Sequence, residues 1–327
     1  MGNRADMLNN LDESAISKKR NEKNNAIKDT PARVGFKVFN YIFLTLLGIL
    51  CLIPLWHLLM LSFSNPNLAV KANGVVLWPL SGVNASTQEA MSATLGGYQI
   101  VFKNSALIRG YANTIFYVGA GCILSVICAS IGAYCISRRT IFGSYLLIIM
   151  MLSMFFNGGM IPTYMVNKAL GLVNTRWVIV LTGMLSVFNI IILQMAFRNL
   201  PDGLEESAQL DGAGHFTMLF KISLPLIKAS IAVITLMYAI QKWNDYMTAQ
   251  IYIRNSKLYP LQIILRQILL DAQAPEGVDI STMESQGNMQ ELVKYCTTIV
   301  GTVPLLCFYP FIQKYFVKGI MIGSMKG

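Results

Sequence analysis

The chain has 327 residues, of which 54% are hydrophobic and only 13% charged, whereas a soluble domain carries about 25% charge. Its charges gather in a few segments and vanish from others, which excludes an ordinary soluble domain and indicates membrane spans. The net charge of +10 lies beside the apolar runs, so it reads as membrane-facing and argues against nucleic acid as a partner.

Residues 1–37 are polar and rich in Asn, Lys and Asp, as expected of a largely disordered basic tail that helps set topology. They are not expected to form a cleavable secretory signal: the polar stretch is long and no small-residue cleavage pattern follows the first apolar run closely. An apolar helix needs about 20 residues to cross the hydrocarbon core. Six stretches of 38–327 meet or approach that length: 38–63, 111–136, 142–161, 177–197, 224–243 and 295–315. The predicted fold class is therefore an all-α integral membrane protein with six transmembrane helices. The fifth span is the weakest, and it crosses only if Lys228 and Lys242 near its ends snorkel to the two interfaces.

An even number of spans puts both termini on one side, and that side carries most of the Lys and Arg. The short turn with Arg138 and Arg139 is the strongest positive-inside vote, so both termini are expected in the cytoplasm. Two long external loops follow, 64–110 and 244–294. The second contains an apolar-rich stretch, 258–270, read as an amphipathic helix on the outer rim. Loops of this length suit docking of an external partner.

The six cysteines all lie in or beside apolar stretches without a C-x-x-C or Cys/His spacing, so they read as small packing residues and not as metal ligands or disulfides. His57 and His215 are too isolated to form a metal pair. No catalytic Ser/His/Asp set is present, so the chain is not expected to be an enzyme. A G-x-x-x-x-G-K-[ST] phosphate cradle is absent, so no ATP hydrolysis is expected of this chain.

The cytoplasmic loop 198–225 is the most informative segment. Asp202 is placed to cap a short helix, and Glu205 and Glu206 fall in its first turn, where the helix dipole favours anions. The helix would run to Asp211, and Gly212 would end it with a positive φ. A second short helix would follow to Ile222, with Phe216, Leu219 and Phe220 forming an apolar stripe for a groove. Pro225 would then break or reset the chain as the fifth span begins.

The spacing Glu206-x-Ala208-x3-Gly212-x9-Ile222-x-Leu224-Pro225 resembles the EAA signature of permease subunits of ATP-binding-cassette (ABC) importers, with Ser207 replacing the first alanine of the triplet. The stretches Phe156–Tyr164, Leu170–Thr175, Trp243–Tyr246, Tyr259–Gln262 and Tyr315–Gly319 are similar to the carbohydrate-uptake, maltose-transporter-like branch. The resemblance covers about 36–327. It implies a multi-pass subunit of a bacterial cytoplasmic membrane that imports an oligosaccharide. It also implies four kinds of company: a second homologous permease, two ABC ATPases that hold ATP and Mg, an extracytoplasmic sugar-binding protein, and membrane lipid. No cofactor is expected in this chain. The implied ATPase-coupling residues are Glu206, Ser207, Ala208, Asp211, Gly212, Phe216, Ile222, Leu224 and Pro225.

Sugars stack on aromatic faces and pair their hydroxyls with amides and carboxylates. Asn157, Tyr164, Asn189, Gln194, Tyr238, Gln241, Trp243 and Asn244 are therefore candidate path residues. Asn189, Gln194 and Gln241 lie inside spans and should face protein or a water-filled path. Two alternatives stay open at this point: an ABC permease for a non-sugar solute, and a stand-alone secondary transporter. The second is disfavoured because acidic residues are absent from the spans except Asp245 at an edge.

Overall fold

The computed structural model describes residues 30–83, 90–91, 93–138, 141–156, 158–271, 288–304 and 306–307. Every described element is helical except a pair of two-residue antiparallel strands, β1 (Gly82–Val83) and β2 (Ala90–Met91). The chain divides into two compact units at Trp56.

In the first unit lies most of α1 (Pro31–Ser62), a 32-residue helix in which every residue from 31 to 56 is exposed. Residues 31–37, expected to belong to the tail, are helical instead: the helix starts at Pro31, because the fixed φ and missing N–H of proline suit a first helical position. Residues 1–29 lie outside the described part.

The second unit is built around α4 (Ser105–Ser137), a 33-residue apolar helix. Asn104 caps it by accepting from the Ala106 N–H at 2.9 Å. Against α4 pack α5 (Ile141–Phe155), α7 (Arg176–Leu181), α8 (Val187–Arg198), α11 (Lys228–Trp243) and α13 (Leu261–Asp271). The predicted external loop 64–110 folds locally into α2 (Pro66–Val70), the β1–β2 pair and α3 (Gly96–Lys103). His57 takes part in this region, its Nδ1 accepting from the Val76 N–H at 3.0 Å.

Among the described residues, only α1 and α4 are single helices long and apolar enough to cross a membrane, and up to four spans result if two bent pairs each count as one. The third predicted span, 142–161, is not one helix. It stops at Phe155, and α6 (Met160–Ala169) leaves at 113°. Glycines at 158 and 159 and Pro162 are poor helix formers, and they interrupt the apolar run. The fourth, 177–197, is broken between α7 and α8 by a turn at Gly183, whose φ is 68°. The fifth begins at Lys228, after a helix of different direction. The sixth is represented by α14, helical over 288–304, which starts earlier than 295; its last residues lie outside the described part.

The rim helix expected in 258–270 is corrected as well. It is α13, and Leu261, Ile264 and Leu265 are buried in a cluster with Leu107 of α4 and Leu292 and Cys296 of α14. Its apolar side meets protein, because α3, α4, α11 and α14 all offer apolar surface there. Lipid is not needed to cover it.

Candidate functional site: the connector and the broken fourth helix

Pro201 occupies the cap position of α9 (Asp202–Leu210), so Asp202 is the first helical residue and not the cap. Proline favours an extended ψ at its own position, here 132°, which lets the helix begin immediately after it. The far end closes as the sequence predicts. Gly212 adopts φ 78°, its N–H donates to Gln209 O at 3.0 Å, and the Ala213 N–H donates to Ala208 O at 2.9 Å. This pair of bonds is a Schellman ending, which satisfies carbonyls that a helix terminus otherwise leaves bare.

After the turn, α10 (His215–Leu226) runs through a π-helical segment, Met218–Ser223. Pro225 cannot donate to the carbonyl four residues back and its ring would crowd it; a widened turn just before it relieves both. Proline therefore does not break the chain where expected. The break falls at Ile227, where α10 meets α11 at 88°.

Ala208, Met218, Leu219 and Ile227 are buried in one cluster with Ala133 and Tyr134 of α4, Leu193 and Phe197 of α8, and Tyr238 of α11. Ile222 and Leu224 pack against the same cluster. The connector is thus seated on the end of the bundle. The predicted stripe divides: Leu219 is buried, while Phe216 is 75% exposed and Phe220 is exposed too. The π segment adds residues per turn, so positions that share a face on an α-helix no longer do. Glu206, Ser207, Asp211, Gly212 and Pro225 are exposed. Ser207, the departure from the triplet, donates its hydroxyl to Gly203 O at 2.7 Å and leaves the helix intact.

Leu210 is 89% exposed and stands beside this group, a residue the motif reading overlooked although a lone leucine in a polar helix is a visible signal. Glu205 forms an ion pair with Arg138, whose guanidinium also lies 4.4 Å over the Tyr134 ring. These residues, with Arg198, Glu206 and Gln209, line an open cleft of about 850 Å3. The ion pair is partly exposed, so Glu205→Gln is expected to lower stability by less than about 1 kcal/mol. Thermal unfolding of the purified protein in detergent checks this.

The second locus is the break between α7 and α8. Lys242 is only 3% exposed. Its Nζ donates to Ile179 O and to Thr182 O, each at 2.7 Å. The snorkelling expected of Lys242 is therefore corrected: the ammonium turns inward, because the broken helix leaves carbonyls without N–H partners. Tyr238 is buried and its hydroxyl accepts from the Ser186 N–H at 3.2 Å. Asn167 of α6 donates to the Thr182 hydroxyl at 3.3 Å. Thr182-Gly183 inside an apolar run was the available sequence signal.

The remaining path candidates are not brought together. Asn157 lies outside the described residues. Tyr164 stacks on Tyr252 of α12 (Met247–Tyr252), with ring centroids 5.6 Å apart. Asn189 and Gln194 are buried as expected, and the Gln194 amide oxygen accepts from Arg198 Nε at 2.8 Å. Gln241 is exposed beside Gly183, and Asn244 is exposed at the end of α11. Trp243 is not an open stacking platform: it is buried with Leu107 and Leu261, its ring 6.5 Å from that of Tyr111.

An apolar helical unit with interrupted helices, polar groups turned inward and a polar connector seated on its end defines a membrane transport component. Residues 140–322, more than half of the chain, match the family described as binding-protein-dependent transport system inner membrane component. The chain belongs to that family. It is 35% identical over 294 residues to the polygalacturonan/rhamnogalacturonan transport system permease protein YtcP of Bacillus subtilis (strain 168), covering 89% of this chain and 98% of that one. It is also 35% identical over 302 residues to Protein LplC of the same organism, covering 91% and 97%. Among solved structures it is similar to a bacterial ABC transporter involved in the import of the acidic polysaccharide alginate. That likeness has a TM-score of 0.75 and 29% identity, covering 88% of this chain and 98% of that chain.

Proposed function

We propose that the chain forms half of the path through which an ATP-driven importer moves an oligosaccharide across the bacterial inner membrane. Its partners are a second homologous permease, two ABC ATPases and an extracytoplasmic sugar-binding protein. ATP and Mg belong to the ATPases. The observation that carries this reading is the connector: a two-helix element, closed by the Gly212 turn and seated on the bundle, that leaves Leu210 and Phe216 exposed. Coupling needs such a lever, because a flexible tether cannot transmit the push of ATPase closure. The sugar assignment is supported by relatives named for polygalacturonan/rhamnogalacturonan transport and alginate import.

In this reading Glu206, Ser207, Ala208, Asp211, Gly212, Ile222, Leu224 and Pro225 shape the lever, and Phe216 meets the ATPase. Gln241 borders the path at the broken fourth helix, and Tyr238 braces that break from the buried side. Deleting the chain is expected to abolish uptake of oligosaccharides released from polygalacturonan, while other nutrient uptake continues. Undiminished uptake of labelled oligosaccharide by the deletion strain would refute the assignment.

The six-span, both-termini-inside topology is part of the same proposal. A reporter fused after Arg138 is expected to remain cytosolic, and one fused after Lys257 to be exported. Reversed signals would overturn the orientation and, with it, the cytoplasmic connector.

A further inference from the structure

The interruption in the fourth predicted span removes backbone hydrogen bonds, and one face of α11 supplies them. The carbonyls of Ile179 and Thr182 accept from Lys242 Nζ. One helical turn earlier on the same face, Tyr238 accepts from the Ser186 N–H. The lysine takes the bare acceptors and the tyrosine takes the bare donor. The stem of Lys242 is guided on its other side by Gly121 of α4, where an added Cβ would lie 3.3 Å from Lys242 Cγ. Among the described residues no carboxylate pairs with Nζ, Asp245 acting on it through its charge alone, so the buried ammonium is held by those carbonyls.

The same helix is the direct continuation of the connector, which it meets at the Ile227 bend. A rotation of α10 therefore reaches α11 through the backbone. It reaches the break at 182–186 through two side chains. Gly183, with φ 68°, is the point at which the broken helix can yield.

We propose that Tyr238 and Lys242 are positioning residues for transport, a clasp that moves the break of the fourth span with the connector. This rests on the permease reading above. The break then opens or closes in step with the ATPases, although neither residue touches nucleotide.

The test uses the complete transporter in proteoliposomes: this chain, its partner permease, the ATPases and the binding protein. The probe is the oligosaccharide pool released from polygalacturonan, and the readout is sugar moved per ATP hydrolysed. Lys242→Met is expected to lower that ratio about tenfold in complexes that assemble normally, and Lys242→Arg to restore it to within about threefold of the original. Tyr238→Phe is expected to lower it about threefold, and the double variant Tyr238→Phe/Lys242→Met to be no worse than Lys242→Met alone, since both act on one break. An unchanged ratio in Lys242→Met, or losses that multiply in the double variant, would overturn the clasp while leaving the permease reading intact. If Lys242→Met does not assemble, Tyr238→Phe decides: it deletes a single oxygen, and an unchanged ratio rejects the proposal. Absence of ATP-driven uptake by the unaltered complex would instead overturn the permease reading, and the clasp with it.

Discussion

Replacing Gly212 by valine is expected to abolish ATP-driven uptake while the protein still reaches the membrane. An added Cβ at this position would meet nothing within 4 Å, so crowding is not the cause. The cause is the backbone: φ is 78°. A residue with a Cβ pays about 1–2 kcal/mol to enter the left-handed region, and a β-branched one is a true outlier there. The two bonds that close α9, from Gly212 to Gln209 and from Ala213 to Ala208, depend on that conformation. Once they are lost, α9 no longer meets α10 at a fixed angle, and Ala208 is free to leave the cluster it shares with Met218 and Leu219. Gly212 is exposed and lies outside every predicted span, so insertion should survive. Gly212→Asn is the control. Asparagine tolerates positive φ, and Asn174 of this same chain already holds 62°. It is expected to keep most of the uptake. Membrane immunoblots and labelled-sugar uptake separate the outcomes, and full transport by Gly212→Val would remove this turn from the coupling mechanism.

The connector was legible in the sequence because its signals are local. A glycine after a short polar helix needs no partner elsewhere to reverse the chain, and both the helix end and the positive φ fall at Gly212 as read. The first two spans were legible for a similar reason: their apolar runs exceed what one crossing needs, and both are continuous helices. The breaks were not. Window hydropathy sums over Gly183 and over the glycines at 158 and 159 without registering that the backbone turns there, since glycine is close to neutral on such scales. Lys242 shows the same limit. On a helical span its position beside an end suggests snorkelling, and only the three-dimensional approach of α7 provides two carbonyls that reverse its direction. Leu261, Ile264 and Leu265 carried an amphipathic pattern that a lipid surface and a neighbouring helix satisfy equally well. Periodicity identifies the apolar face of such a helix but not what covers it. The stripe of Phe216, Leu219 and Phe220 failed for a different reason. It assumed α-helical spacing, and the π segment ahead of Pro225 turns Leu219 inward, away from the exposed side that Phe216 and Phe220 keep.

That rotation sharpens the prediction for the ATPase contact. Leu219 faces inward, so changing it would damage the seat of the connector and confuse the result. Phe216 is 75% exposed and belongs to none of the buried clusters, so Phe216→Asp should leave the fold of this chain intact. If the aromatic ring fills a pocket on the ATPase, its loss removes an anchor, and truncation of such a residue costs at least about 2 kcal/mol, or about thirtyfold in affinity. The introduced carboxylate must also be desolvated against that pocket, which adds to the loss. ATPase subunits are therefore expected to copurify with the original chain and to be missing from Phe216→Asp at the same membrane abundance. Leu210→Asp, on the other side of the Gly212 turn and 89% exposed, serves as the companion variant. Loss of the ATPase with both substitutions indicates a contact that straddles the turn. Loss with Phe216→Asp alone confines the contact to α10, and retention with both would move it off the connector altogether.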